Sequence, residues 1–228
     1  MDSFREKYSH LTGSSEERFE SRLITPLSMI VVGCSSCGKT QFVLELLQGQ
    51  ADMLDKPFDK IVWVSRFHQD VLRQQLIGLN VQFVLNEIPS QKALMKLKAK
   101  NSLIVIDDLM TQAVRSGAVQ ELFTSGRHAN LSVIYLTQNM FKQGPSSRDI
   151  RLNSNYTILF KNRHDCRQIR IIGEQIYLKK WPAFVACYQD ATNKPFGYLL
   201  LDNRPTTHSS LRLRGKITKD YQILYRLD

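Results

Sequence analysis

Eight consecutive residues, Gly33-Cys34-Ser35-Ser36-Cys37-Gly38-Lys39-Thr40, constrain this chain more than any other feature, because they fit the pattern G-x-x-x-x-G-K-[ST]. An apolar run, Leu27–Val32, precedes them and a segment of helical spacing, Lys39–Leu47, follows. A strand, a glycine loop and a helix in that order form the phosphate-binding loop of nucleoside triphosphatases. A chance glycine turn before a lysine carries no such frame. Gly33, Cys34, Ser35, Ser36, Cys37, Gly38, Lys39 and Thr40 are therefore expected to bind a nucleotide. The backbone N–H groups of Cys34 to Thr40 would surround the β-phosphate, with the helix dipole favouring its charge. Lys39 would reach the β/γ oxygens as a catalytic cation, and Thr40 would ligate Mg²⁺.

The rest of the chain agrees with such a loop. Short β-branched runs occur at Leu27–Val32, Ile61–Ser65, Val81–Val84, Leu103–Asp107, Leu131–Thr137 and Tyr156–Lys161. Helical spacing separates them at Lys39–Leu47, Gln69–Ile77, Ser90–Leu97 and Gln112–Phe123. Alternation of this kind predicts an α/β fold, a mostly parallel sheet with helices on both faces. Beyond Phe160 the spacing predicts a helix within His164–Lys180 and a hairpin of Phe184–Tyr188 with Tyr198–Leu201 around the Asn193–Pro195 turn. Three units are expected: an N-terminal extension at 1–25, a P-loop ATPase domain at 26–203 and a basic C-terminal tail at 204–228.

The acids of the site are sought at the end of another buried strand. Leu103-Ile104-Val105-Ile106-Asp107-Asp108 is four apolar residues closed by two carboxylates. Asp107 is expected to hold Mg²⁺ through water, and Asp108 to orient or deprotonate the attacking water. Many motor ATPases carry Glu at the second position, and Asp108 is one methylene shorter. ATP and Mg²⁺ are the expected cofactors.

A third strand is the most distinctive. Gly126-Arg127-His128-Ala129-Asn130-Leu131-Ser132-Val133-Ile134-Tyr135-Leu136-Thr137-Gln138-Asn139 reads as a helix end, a tight turn, a buried strand and a polar Gln. With the phosphate loop and the acidic strand, it resembles the FtsK–HerA superfamily of DNA-pumping ATPases, whose sensor strand ends in Thr-Gln after a Gly-Arg turn. Within it, the chain looks most like the genome-packaging ATPases of poxviruses, giant viruses, virophages and Polintons, over about Leu27 to Ile172. The resemblance implies an ATPase with a RecA/FtsK–HerA-like fold, acting as a homo-oligomeric ring on double-stranded DNA, with capsid proteins as further partners. It implies a place in the host cytoplasm or nucleus, or with the virion. It also implies that Gln138 touches the γ-phosphate or the lytic water, the alternative being a buried amide that satisfies backbone groups. In such rings an arginine of one subunit completes the site of its neighbour. Arg127 is the first candidate; Arg148 and Arg167 are the alternatives.

Charge supports a polyanionic partner. Lys and Arg number 31 against 21 Asp and Glu, a formal charge of +10. Phe141–Arg170 alone carries Lys142, Arg148, Arg151, Lys161, Arg163, Arg167 and Arg170 against Asp149 and Asp165. Scattered cations suit contact with phosphates rather than base reading, and the loop Gln143–Ser147 is a candidate to project into a pore. The segment Met1–Ser15 lacks the apolar centre of a secretory signal, which predicts an intracellular protein without membrane association. Cys34, Cys37, Cys166 and Cys187 are too few and too scattered for a disulfide-stapled fold. Cys34 and Cys37 form C-x-x-C inside the phosphate loop, with no second pair to complete a zinc site. The helix start beside Cys37 is expected to lower its thiol pKa.

Three rivals share the loop. A nucleoside or small-molecule kinase would not account for the Thr137-Gln138 strand end. A helicase or AAA-type remodelling ATPase is a second. A regulatory GTPase is the third, but Asn193-Lys194-Pro195-Phe196 lacks the Asp of the guanine-reading N-K-x-D signature.

Overall fold

The computed structural model describes residues 21–90, 93, 101–107, 117–141, 145–162, 166–217 and 222–227. Among them runs a nine-stranded sheet: β1 (Ser28–Val32), β2 (Lys60–Ser65), β3 (Val81–Leu85), β4 (Ser102–Asp107), β5 (Leu131–Thr137), β6 (Tyr156–Phe160), β7 (Tyr198–Asp202), β8 (Leu213–Gly215) and β9 (Ile223–Tyr225). Their order across the sheet is β3-β2-β4-β5-β1-β6-β7-β8-β9. The first six pair in parallel, and β7, β8 and β9 run antiparallel to their neighbours. The helices are α1 (Lys39–Gln48), α2 (Gln50–Met53), α3 (Asp70–Gln75), α4 (Ala118–Ser125), α5 (Pro145–Leu152), α6 (Cys166–Tyr177) and α7 (Trp181–Ala191).

Successive residues of a strand point to opposite faces, so a strand buried at every position needs cover on both sides. β1, β4, β5 and β6 are buried throughout. Ile30, Ile104 and Val133 pack on one face with Leu122 and Phe123 of α4, Ile169 and Ile172 of α6 and Phe184 of α7. Met29, Val31, Val105 and Ile134 pack on the other with Phe42, Val43, Leu46 and Leu47 of α1. The expected parallel α/β sheet with helices on both faces is the fold observed.

The C-terminal third departs from expectation. Phe184–Tyr188 lies within α7 rather than in a hairpin strand, and Pro182 occupies its first turn, where a missing N–H costs nothing. Phe184, Cys187 and Tyr188 are the buried positions of α7, spaced i, i+3, i+4. β7 pairs instead with β6 and β8. Within 204–228, expected as a basic tail, β8 and β9 extend the sheet, and Leu213, Ile217 and Tyr225 are buried. The N-terminal boundary also moves. Leu23 is fully buried and its N–H bonds the Met53 carbonyl at 2.8 Å, so the domain begins before residue 26, while residues 1–20 of the expected extension lie outside the described residues. The expected helix Ser90–Leu97 falls almost wholly outside them too.

Two cations of that segment, Arg204 and Arg214, are paired internally. Asp202, at the end of β7, receives Arg204 Nη2 on Oδ2 at 2.7 Å and Arg204 Nε on Oδ1 at 3.0 Å. Arg214 Nη2 reaches the same Oδ2 at 3.3 Å. Arg214 also donates to the Ser21 carbonyl and to Gln222 Oε1, tying the stretch before β1 to the one before β9. Its side chain is 1% exposed. Burial pulls the Arg214 guanidinium below its ordinary value, and Asp202 works against that. Asp202→Ala would strand this charge in the interior, and removing one partner of a buried pair costs about 3–5 kcal/mol. Urea unfolding should show a loss of that size, with most of it recovered in Asp202→Ala/Arg214→Met. A loss below about 1 kcal/mol would mean that water reaches Arg214.

Candidate nucleotide site

The phosphate loop leaves the C-terminal end of β1, where the Gly33 N–H donates to the Thr137 carbonyl of β5 at 3.2 Å. Ser36 and Gly38 take positive φ, 59° and 108°, which reverses the chain and starts α1 at Lys39. The helix start is capped by no side chain, so its first N–H groups remain available to an anion. Both glycines are required sterically. A Cβ on Gly33 would strike Cys37 Sγ and lie 2.7 Å from Phe160 Cβ. At Gly38 it would lie 3.0 Å from Phe196 Cδ1, on a left-handed backbone that disfavours any side chain. Lys39 Nζ donates to the carbonyls of Gly33 at 2.8 Å and Cys34 at 2.7 Å, which holds the ammonium against the loop.

The sheet register brings the acidic strand to the same edge. Val32 pairs with Thr137, Asp107 with Leu136, and Ser65 with Asp107, so the ends of β1, β5, β4 and β2 line up. The Asp107 residue is 6% exposed. Its Oδ2 accepts from Thr40 Oγ1 at 3.3 Å and from Gln69 Nε2 at 3.3 Å. Gln69 was invisible to sequence reasoning; its signal is a polar residue just past a parallel strand's C-terminal end, where such sheets bind ligands. Its Oε1 is buried and has no hydrogen-bond partner among the described residues.

That orphaned acceptor tests whether a hydrated divalent cation suits the site. Mg²⁺ keeps several waters, binds through one or two carboxylates plus phosphate oxygens, and offers water protons to nearby acceptors. A carboxylate, a hydroxyl and an unpaired amide oxygen fit that donor set, as the Gly33 and Gly38 cradle fits phosphate.

The remaining expected residues divide by position. Gln138 follows β5 directly and is exposed, on the edge that carries the loop and Asp107, so it is not a buried amide. Asp108 lies outside the described residues. Arg127 sits in a 3-10 turn (Gly126–Ala129) before β5, exposed at the opposite edge of the sheet. Seven residues of strand separate it from Gln138, about 23 Å at the usual strand rise. Arg148 of α5 and Arg167 of α6 are exposed. Of the proposed pore loop Gln143–Ser147, residues 143 and 144 lie outside the described residues and Pro145 already opens α5.

The cysteine expectation is corrected. Burial pushes the Cys37 thiol above its ordinary value, and the nearby Lys39 charge and backbone hydrogen bonding recover only part of this. Desolvation therefore outweighs the helix start, and Cys37 is a poor nucleophile at neutral pH. Cys34 Sγ lies 3.7 Å from the Lys161 carbonyl.

The fold has solved counterparts. The genome packaging NTPase B204 from Sulfolobus turreted icosahedral virus 2, in complex with ATP-gammaS, is 16% identical with a TM-score of 0.55, covering 83% of this chain and 96% of that one. The same protein in complex with AMPPCP gives 15% identity and a TM-score of 0.54, over 83% and 96%. At these identities the likeness shows a shared fold. Among curated protein sequences, none matches the chain. The family model for the poxvirus A32 protein matches residues 16–151, more than half the chain and the whole stretch from β1 to Gln138. The chain is a P-loop ATPase, and it belongs to the poxvirus A32 protein family.

Proposed function

We propose that this ATPase drives double-stranded DNA into a viral capsid, as a homo-oligomeric ring whose sites are completed between subunits. The observation that carries this reading is the placement of Arg127 at the edge of the sheet opposite the one that bears the phosphate loop, the length of β5, about 23 Å, from Gln138. An arginine there is useless to its own site and well placed to meet a neighbour's. B204, which shares the fold, is itself a genome packaging NTPase.

Within one subunit, the loop N–H groups and Lys39 would bind the β/γ-phosphates, with Lys39 exchanging its carbonyl partners for phosphate oxygens. Thr40 and Asp107 would hold Mg²⁺, which supplies neutralisation of charge on the transferred phosphoryl group. Gln69 would fix the Asp107 carboxylate through Nε2, and its Oε1 would accept a hydrogen bond from a water of the hydrated cation. Asp108 would accept the proton of the attacking water, and Gln138 would orient that water from the end of β5. Exposed Lys161, Arg148 and Arg167 would track the DNA backbone.

Hydrolysis measured with and without long duplex DNA tests the proposal. Duplex should raise turnover whatever its sequence. Its affinity should fall steeply with salt, with a log–log slope of about −0.9 per phosphate neutralised. A turnover indifferent to duplex, by a chain that stays monomeric, would refute the motor while leaving the ATPase intact.

A further inference from the structure

A cleft of about 290 Å³ opens beside the phosphate loop, between Ser36 and Cys37 on one wall and the turn Asn193–Gly197, which joins α7 to β7, on the other. Lys161 stands at its margin. Its volume is close to the lower bound of ordinary small-ligand sites, about 300 Å³. The loop's phosphate-binding N–H groups and the cleft share Ser36 and Cys37, so a nucleotide seated on the loop has this space within reach.

Phe196 is the unusual residue of that turn. The residue is 67% exposed, although its ring edge rests on the phosphate loop at Gly38. Its backbone is left-handed, φ 60°, a conformation that is a true outlier for a bulky side chain. The fold thus carries backbone strain and exposed apolar surface at once, and the core gains nothing from either. Strain of this kind persists where the surroundings impose it, and it clusters at ligand clamps. Here the imposition is visible. Gly197 follows with its N–H bonded to the Lys194 carbonyl at 3.1 Å, and a Cβ on Gly197 would lie 2.5 Å from the Ala191 carbonyl. The turn is clamped against the end of α7, which leaves the Phe196 ring propped beside the loop.

We propose that this cleft is the nucleobase subsite, with Phe196 as its stacking surface and the Asn193 amide as its polar contact. The proposal rests on the phosphate-loop reading and deepens it. Every base presents a π face, so a site built on one ring holds the base without reading it closely. The ATPase should therefore accept GTP and CTP as well as ATP.

Calorimetric titration with ATP, ADP and inorganic tripolyphosphate separates the parts. Base–aromatic stacking accounts for roughly 5- to 100-fold in affinity. Phe196→Ala should weaken ATP and ADP by that factor and leave tripolyphosphate unchanged, while Phe196→Tyr should bind ATP as the parent chain does. Equal weakening of ATP and tripolyphosphate would overturn the proposal, because the ring would then only brace Gly38. Unaltered ATP affinity would overturn it too, as would a variant that loses duplex DNA instead of nucleotide. Failure of the underlying reading looks different: Lys39→Ala would then bind tripolyphosphate as tightly as the parent chain does.

Discussion

Lys39→Ala should lower ATP turnover by at least about 100-fold while the protein stays folded. The side chain carries the loop's point charge, and its ammonium already sits on the Gly33 and Cys34 carbonyls, within the loop that would hold the β/γ-phosphates. Charge that develops on a transferred phosphoryl group in a partly desolvated site is stabilised far more strongly than in water, so its loss falls on the chemical step as well as on binding. The fold gives little reason to fail. Lys39 opens α1, whose packing runs through Phe42, Val43, Leu46 and Leu47, and alanine is a good helix former. Turnover near that of the parent protein would remove Lys39 from the site. Steady-state hydrolysis beside a circular dichroism melt decides between these outcomes.

How much of the site was legible follows from how its parts are encoded. The phosphate loop and the Leu103–Asp107 strand are contiguous, and each shows its context within about fifteen residues: apolar run, turn or acid, next element. Gln69 is a different case. It meets Asp107 across 38 residues of chain because Ser65 is in register with Asp107, and register is a property of the assembled sheet. In the sequence Phe196 is only part of a turn that lacks a guanine signature, and its exposure beside Gly38 depends on where α7 ends.

The fold divides the same way. Buried parallel strands such as Ile104–Ile106 and Val133–Leu136 announce themselves as unbroken apolar runs. β8 and β9 are three residues each, too short for alternation to rise above chance, and an arginine stands at the centre of β8. Counting Arg204 and Arg214 as surface charge made the segment look like a solvated tail, whereas both are turned on Asp202. Charge counts describe a surface only after buried pairs are subtracted, so the surface share of the +10 total is smaller than the sequence suggests. The Phe184–Tyr188 run of α7 imitates a strand through its aromatics and valine, although the spacing of its buried Phe184, Cys187 and Tyr188 is helical.

Arg127→Ala should lower the DNA-stimulated rate by about 1,000-fold or more and leave ATP binding nearly unchanged, because an arginine supplied across a subunit interface acts on transition-state charge. Arg127 is exposed in its turn and separated from its own Gln138 by the length of β5, so any action on a γ-phosphate must be on that of another subunit. The same geometry sets a test that a residue acting in its own subunit would fail. Neither Arg127→Ala nor Lys39→Ala alone forms a complete site. In a mixed ring, an Arg127→Ala subunit keeps its Lys39 and a Lys39→Ala neighbour lends its Arg127. With random assembly at equal amounts, about one interface in four joins them in that order. Activity that reappears on mixing, from two preparations each inactive alone, requires an arginine given in trans. If Arg127→Ala by itself keeps the DNA-stimulated rate, the donor is another residue, and Arg148 of α5 and Arg167 of α6 are the exposed alternatives for the same mixing experiment.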